Sequence, residues 1–126
     1  LQRVLTPGLD GANADIVKIS GNSVEDFGDR GVYVFLAASK VLRCLSIEHN
    51  VCDMTAGAGE GIYVDSTTDG NVQNTTVMGN QVLGNPAYGL RLSGEENLVS
   101  MGNRLIGCAT PSSVSATNKL ESNLTA

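Results

Sequence analysis

The stretch Ser46-Ile-Glu-His-Asn50-Val-Cys52, followed after a link by Gly61-Ile-Tyr-Val64, is one copy of a pattern that repeats along this chain. The copy before it is Lys18-Ile-Ser-Gly-Asn22-Ser-Val24 with Gly31-Val-Tyr-Val34, and the copy after it is Thr76-Val-Met-Gly-Asn80-Gln-Val82 with Gly89-Leu-Arg-Leu92. The fourth copy is degenerate and consists of Val99-Ser-Met-Gly-Asn103-Arg-Leu105 with Ser113-Val-Ser115. A partial fifth copy, Ser122-Asn-Leu124, follows it. Repeats of this length indicate a solenoid, in which each unit buries its apolar face against its neighbours.

The spacing of the anchor asparagines supports this interpretation. The steps from 22 to 50, 50 to 80, 80 to 103 and 103 to 123 are 28, 30, 23 and 20 residues, within the range of solenoid repeats. Apolar and polar residues alternate around each anchor, and a period of two is typical of strands. Stacked amides can satisfy one another at a rung spacing of about 4.8 Å. We therefore expect an inward, hydrogen-bonded ladder of Asn22, Asn50, Asn80 and Asn103.

These features predict an all-β fold: a right-handed, single-stranded parallel β-helix of about four coils with an internal asparagine ladder. Residues 1–13 are expected to form an N-terminal cap or linker, and residues 14–126 the β-helix. The glycine segments supply a second strand, whose glycine takes a corner that needs positive φ or a close backbone approach. A third strand is expected from segments such as 41–45 and 71–75. The alternative fold is a β-sandwich, in which this repetition would be a coincidence.

Composition and charge exclude several classes of protein. With 13 acidic against 8 basic residues and a net charge of −5, the chain lacks the basic surface of a nucleic-acid-binding protein. No apolar run approaches the roughly 20 residues that a membrane span needs, and the N-terminus shows no signal-peptide core. Because the chain begins with Leu1 rather than Met, we expect a piece of a longer protein. Cys44, Cys52 and Cys108 lack paired spacing, which favours buried reduced thiols over disulfides or a zinc site.

The Asn-anchored strand and the glycine strand resemble the parallel β-helix repeats of the pectate-lyase-like superfamily, which includes polysaccharide lyases, epimerases and bacteriophage tailspikes. The resemblance covers residues 14–126. It is specific for the fold and much less so for the activity, because such repeats carry many unrelated functions. The calcium-binding lyases of this superfamily hold clustered aspartates on one strand, which this sequence lacks, and no metal or cofactor is expected.

Outward positions on the coils carry the candidate binding residues. Tyr33, Tyr63 and Arg91 occupy equivalent positions on three successive coils. They are candidates for glycan binding, for packing against a neighbouring subunit, or for local cross-strand stacking alone. Met78 and Met101 are expected to form an exposed column beside the anchors, and Val51 is expected to extend the same apolar face. These last three residues are the candidates for a subunit interface.

Catalysis on a glycan generally needs two carboxyl groups about 5–10 Å apart. The weak candidates lie in and beside the links between strands: Glu25, Asp26, Asp29, Asp53, Glu60 and Asp65. None belongs to a recognisable catalytic motif, and Glu60 with Arg30 of the adjacent coil is expected to be a surface ion pair. His49, the single histidine, has no accompanying nucleophile motif and is expected to be a surface residue.

Three functions fit these features. The first is a segment of a virion tailspike or appendage, acting as a structural shaft, as a surface for host glycans, or as both. The second is a fragment of a polysaccharide-active enzyme (lyase, epimerase or hydrolase), and the third is a purely structural decoration module. About four coils are too short for the long groove of the superfamily's enzymes, which disfavours catalysis by this segment alone. The tailspike resemblance implies a virion or extracellular location, a homotrimer and a bacterial surface polysaccharide as ligand, without nucleic acid or membrane insertion.

Overall fold

In the computed structural model, which describes residues 4–6, 14–25, 29–37, 40–54, 59–66 and 71–125, every element of regular structure is a strand. In chain order these are β1 (Val4–Thr6), β2 (Ala14–Ser20), β3 (Ser23–Glu25), β4 (Arg30–Leu36), β5 (Leu42–Glu48), β6 (Val51–Met54), β7 (Glu60–Ser66), β8 (Val72–Met78), β9 (Gln81–Gly84), β10 (Tyr88–Leu105) and β11 (Thr110–Thr125). All pairs between these strands are parallel.

The strands form three faces around one core. Face A pairs β1, β4, β7 and the first parts of β10 and β11. Face B pairs β2, β5, β8 and the middle parts of β10 and β11. Face C pairs β3, β6, β9 and the last parts of the same two strands. β10 passes through all three faces and changes register at the two corners. This is the predicted right-handed parallel β-helix.

The described strands form five rungs on each face, whereas the sequence predicts about four coils. β1 pairs with β4, placing Val4 opposite Val32, so the first coil begins within residues 1–13, which were predicted to be a cap or linker. The predicted third strand is wrong, because residues 42–45 and 72–75 are the first halves of β5 and β8. The third face consists instead of the short strands that follow each anchor asparagine, since the corner there ends the preceding strand.

Aliphatic side chains fill the core in layers, as alternation along the strands predicts. The two predicted stacks of face A are buried in register: Val32, Ile62 and Leu90, and then Val34, Val64 and Leu92.

The prediction that the cysteine thiols are buried is only partly correct. Cys52 is buried, and burial raises the pKa of its thiol to about 12, but Cys44 is exposed. Cys44 lies on the outward side of β5, one position from the buried Leu45.

The predicted asparagine ladder lies at the corner between faces B and C. The side-chain amides of Asn22, Asn50 and Asn80 each donate to the amide oxygen of the next anchor, at 3.0, 2.9 and 2.9 Å. Asn103 donates in turn to Asn123 at 2.7 Å, which adds a fifth member. Each interior anchor also accepts a backbone N–H, as Asn80 does from Asn50 at 2.9 Å, and donates its second amide hydrogen to a strand carbonyl. The buried amides are therefore satisfied without water.

The residue before each of the first four ladder asparagines makes the corner possible by adopting positive φ. Three of these residues are glycines, with φ of 70° at Gly21, 63° at Gly79 and 65° at Gly102. The fourth is His49, with φ of 55°, a conformation that histidine tolerates better than most side chains. His49 is exposed, as predicted.

Candidate functional site

The most interconnected set of outward side chains lies on face A. Register places Tyr33 opposite Tyr63, and Tyr63 opposite Arg91, which is the predicted column. The residues that precede the face A glycines form a second column beside it, with Glu60 opposite both Arg30 and Tyr88. We call these six residues the arginine–tyrosine cluster: Arg30, Tyr33, Glu60, Tyr63, Tyr88 and Arg91.

Glu60 is the centre of this cluster. Its Oε1 accepts a hydrogen bond from Arg91 Nη1 at 2.8 Å, and its Oε2 lies 3.5 Å from Arg30 Nε. Glu60 is only 8% exposed, so the prediction of a surface ion pair with Arg30 is wrong. The carboxylate is instead largely buried between two guanidinium groups, an arrangement in which removal of one partner leaves a poorly solvated charge. The hydrogen bond to Glu60 also raises the pKa of Arg91.

Both guanidinium groups also lie over tyrosine rings. The Arg30 guanidinium carbon is 4.4 Å from the centroid of the Tyr33 ring and 5.1 Å from that of Tyr63. The Arg91 guanidinium carbon is 4.9 Å from the centroid of Tyr63 and 5.1 Å from that of Tyr88. These distances are in the range of cation–π attraction. The cluster is therefore held together by alternating cations, rings and one buried anion.

The Tyr33 hydroxyl group is a hydrogen-bond donor in the cluster. Tyr33 Oη donates to Asp65 Oδ2 at 3.2 Å. Burial, with the negative charge of Asp65, raises the pKa of both Tyr33 and Tyr63 above the ordinary value near 10. Tyr63 is only 9% exposed, so little of its ring is open to a ligand. Tyr33 is half-buried, and the side chain of Arg91 is 44% exposed, which makes these two the more accessible of the predicted glycan-binding residues.

The structure separates the predicted catalytic carboxylates into two regions. Glu60 and Asp65 both lie on β7 and contact the arginine–tyrosine cluster, and Asp29 lies 3.7 Å from Arg30. Glu25 and Asp53 are opposite each other on face C. The remaining candidate, Asp26, lies outside the described residues.

A second surface feature is a group of exposed apolar side chains on face B. Met78 lies opposite Met101, and Val99 lies opposite Leu120; all four are at least 36% exposed. We call these four residues the face B apolar patch. Val51 is not part of it, contrary to prediction, because the Asn50 corner intervenes and Val51 lies on face C opposite Gln81.

A shallow groove of about 350 Å³ adjoins this patch. Its walls include Val99 and Leu120 and a column of exposed amides. In this column Asn118 Nδ2 donates to Asn97 Oδ1 at 3.1 Å, and Asn97 Nδ2 lies 3.5 Å from Asn74 Oδ1. This external amide column was not predicted from the sequence. The signal for it was the recurrence of asparagine at 74, 97 and 118, with the spacing of the neighbouring rungs.

Tyr88 was likewise not predicted from the sequence as a member of the arginine–tyrosine cluster. Its signal was its place directly before Gly89, equivalent to Arg30 before Gly31 and to Glu60 before Gly61. Among the described residues, no group of three His, Cys, Asp or Glu side chains is placed to hold a metal ion. The same part of the chain contains no helix long and apolar enough to cross a membrane.

Comparison with known proteins agrees with this architecture. A family model described as a right handed beta helix region matches residues 5–124, and the chain therefore belongs to the right-handed β-helix family. The match also begins ahead of residue 14, in agreement with the pairing of β1. No curated protein and no solved structure matches the chain.

Proposed function

We propose that this chain is a segment of a virion tailspike or related appendage, in which the β-helix is a rigid shaft and face A binds surface polysaccharide. Membership of the right-handed β-helix family is compatible with this role. The observation that carries the proposal is the arginine–tyrosine cluster, in which Glu60 holds Arg30 and Arg91 over three tyrosine rings.

The internal hydrogen bonding supports the role of a shaft. Five stacked asparagines, from Asn22 to Asn123, link all five described rungs through side-chain amides. Because bending the solenoid at any rung would break buried amide contacts, and because unpaired buried amides are costly, the stack resists deformation along its axis.

The cluster suits glycan binding because its side chains are already ordered. Association usually requires long side chains to lose rotamer freedom, but Arg91 is fixed by Glu60 and by two rings before any ligand arrives. Its guanidinium retains donors beyond the one bonded to Glu60, and Tyr33 adds a half-buried ring and a hydroxyl group. Ring faces and fixed polar donors of this kind match the apolar faces and hydroxyl groups of sugars.

Replacing Arg91 by alanine should reduce the affinity for a bound polysaccharide at least tenfold. The probes are purified bacterial capsular polysaccharides and lipopolysaccharide O-chains, with binding measured by calorimetry. Arg104→Ala is the matched control, because Arg104 is an exposed arginine of the same strand on face C, 3.3 Å from Gln81 Oε1. Equal losses in both variants, or no binding of any probe by the unchanged protein, would argue against a glycan site on face A and favour a purely structural module.

We further propose that the shaft is a homotrimer with parallel axes, in which the face B apolar patch is buried between subunits. Exposed apolar patches on soluble proteins often mark interaction sites. Sedimentation should then give about three times the chain mass of 13.1 kDa, and Met78→Glu should shift the particle toward monomer by placing an unpaired charge in the contact. Ser115→Glu adds the same charge at an exposed position of face A and should leave the mass unchanged. A monomer unaffected by Met78→Glu would contradict the trimer.

In the alternative of a polysaccharide-active enzyme, the candidate carboxylates that contact the proposed glycan site from one strand are Glu60 and Asp65 on β7, whereas Glu25 and Asp53 lie on face C. Glu60 is buried and tied to two arginines, and Asp65 accepts the Tyr33 hydroxyl hydrogen, so neither is free to contact a glycosidic oxygen. We therefore expect the chain to release neither reducing ends nor unsaturated uronate from bacterial capsules and pectins. Release of either product would favour the enzyme instead.

A further inference from the structure

Face A carries more negative than positive charge. Its described strands and the residue before β4 contain two guanidinium groups and three carboxylates, which belong to Arg30, Arg91, Asp29, Glu60 and Asp65. Glu60 is within 3.5 Å of Arg30 Nε and 2.8 Å of Arg91 Nη1. Asp29 Oδ2 lies 3.7 Å from Arg30 Nη1. Both guanidinium groups are therefore already paired with carboxylates of this chain, and one carboxylate is in excess.

The basic residues of the other faces do not restore a positive field here. Lys18 lies 3.8 Å from Glu48 on face B, and Lys119 lies 3.6 Å from Glu121 on β11. Arg104 is on face C. The chain as a whole has a net charge of −5. A ligand that approaches face A therefore meets local and overall charges of the same negative sign, which do not attract anions.

An acidic sugar could bind the arginines only by competing with these carboxylates. A uronate, phosphate or sulfate group on Arg91 would share the guanidinium with Glu60, which is only 8% exposed. Drawing Arg91 away would leave a poorly solvated carboxylate with a weakened pairing, which is unfavourable. A sugar hydroxyl group requires no such exchange, because the N–H groups of Arg91 that do not bond to Glu60 can donate to a neutral oxygen.

Phe35 supplies an apolar surface beside these groups. It lies on the outward side of β4, opposite Asp65. Its ring is half-buried, with the ring centroid 6.5 Å from that of Tyr33. In the described part of the cluster, both guanidinium groups lie over tyrosine rings and neither lies over Phe35. An aromatic face of this kind suits the apolar C–H face of a sugar.

We infer that face A binds an uncharged glycan, with a sugar ring on Phe35 and sugar hydroxyl groups bonded to Arg91, and that it rejects acidic polysaccharides. This inference rests on the proposed glycan site and adds the class of its ligand and a further binding residue. Acidic glycans are held by charge-assisted bonds to cations, and Glu60 compensates the cations that face A would offer.

Polysaccharides that differ only in charge test the ligand class on the unchanged protein. The probes are neutral O-chains and uronate-containing capsular polysaccharides, the latter also in their carboxyl-reduced forms, with binding measured by calorimetry. A neutral polymer should be the tightest ligand, and its affinity should be the same at low and at high salt. Any carboxyl-reduced polymer that binds should bind at least tenfold more tightly than its acidic parent at low salt. This difference should shrink at high salt, where charges are screened.

A change of a single charge tests the physical cause. Glu60→Gln keeps the shape of the side chain and an acceptor oxygen but removes the charge shared by Arg30 and Arg91, so the affinity for acidic polymers should rise about fivefold at low salt. Glu25→Gln is the matched control, because it removes the same charge from face C and should leave this affinity unchanged.

Phe35→Leu tests the seat of the sugar ring. Leucine keeps an apolar side chain at this half-buried position but removes the flat ring, so the affinity for the neutral ligand should fall at least fivefold. An unchanged affinity would show that the sugar does not lie on Phe35.

The outcomes separate this inference from the glycan site itself. An acidic polymer that binds at low salt as tightly as its carboxyl-reduced form would overturn the ligand class and leave the glycan site in place. The same conclusion follows if a folded Glu60→Gln variant gains no more affinity for acidic polymers than Glu25→Gln does. If no polymer of either class binds, the glycan site and the inference are overturned together.

Discussion

Replacing Asn50 by leucine should lower the free energy of unfolding by about 3–5 kcal/mol, measured by urea denaturation. Asn50 Oδ1 accepts both the backbone N–H and the side-chain amide of Asn22, and Asn50 Nδ2 donates to Asn80 Oδ1 and to the Ile19 carbonyl. Leucine would leave these groups without their partners in a largely dry interior, where each unsatisfied group costs about 1–3 kcal/mol.

The matched control for this experiment is Asn74→Leu. Asn74 also belongs to a column of stacked amides, but it is exposed on face B, where water can replace the lost contacts. The expected change is within about 0.5 kcal/mol. If Asn50→Leu changed the stability no more than Asn74→Leu does, the internal ladder would not be a stabilising element of this fold.

Replacing Gly61 by alanine should destabilise the protein by about 2–3 kcal/mol. A Cβ atom at this position would lie 2.3 and 2.9 Å from the two methyl groups of Val82, and 2.9 Å from the Gly89 carbonyl oxygen. The backbone carbonyl cannot rotate away as a flexible side chain can, so the strands of face A would have to shift. The same close approach recurs at Gly31, where an added Cβ atom would lie 2.6 Å from the Gly61 carbonyl oxygen.

Gly21→Ala separates this steric effect from backbone strain. Gly21 has φ of 70° but nothing within 4 Å of the added methyl group, so it should cost only the strain of the left-handed conformation, about 1–2 kcal/mol. Gly61 is not among the glycines with positive φ. A Gly61→Ala variant as stable as the unchanged protein would show that the rungs of face A can separate without penalty.

These glycines show how far the sequence could specify local geometry. The repeat located glycine at the start of β4, β7 and β10 on face A but allowed either positive φ or a close approach. Only the stacking of one coil on the next shows that Gly31 and Gly61 are needed for close approach. Positive φ is found instead at other positions, among them the residues before the first four ladder asparagines. The conformation of a residue is local, but the atoms that limit its size come from a coil about 30 positions away.

The arginine–tyrosine cluster was also predicted only in part from the sequence. Equivalent positions in the repeat predicted the column of Tyr33, Tyr63 and Arg91, and the neighbouring positions of Arg30 and Glu60. The sequence could not show that Glu60 is buried, because its burial comes from side chains of two other coils that cover it from both sides. The ion pair of Arg30 and Glu60, which was predicted to lie at the surface, is therefore part of the buried centre of the cluster.

The sequence by itself determined the parallel β-helix and its asparagine ladder, because a period-two pattern that recurs with each coil dictates which residues face inward and which stack. Only the tertiary structure decided where the faces begin and end, as at the corner that separates Val51 from Met78. It also decided that Glu60 is buried between Arg30 and Arg91. The physical reason is that the alternation of residues along one strand fixes which side chains point inward, whereas the corners and the contacts between coils follow only from the pairing of each rung with the next.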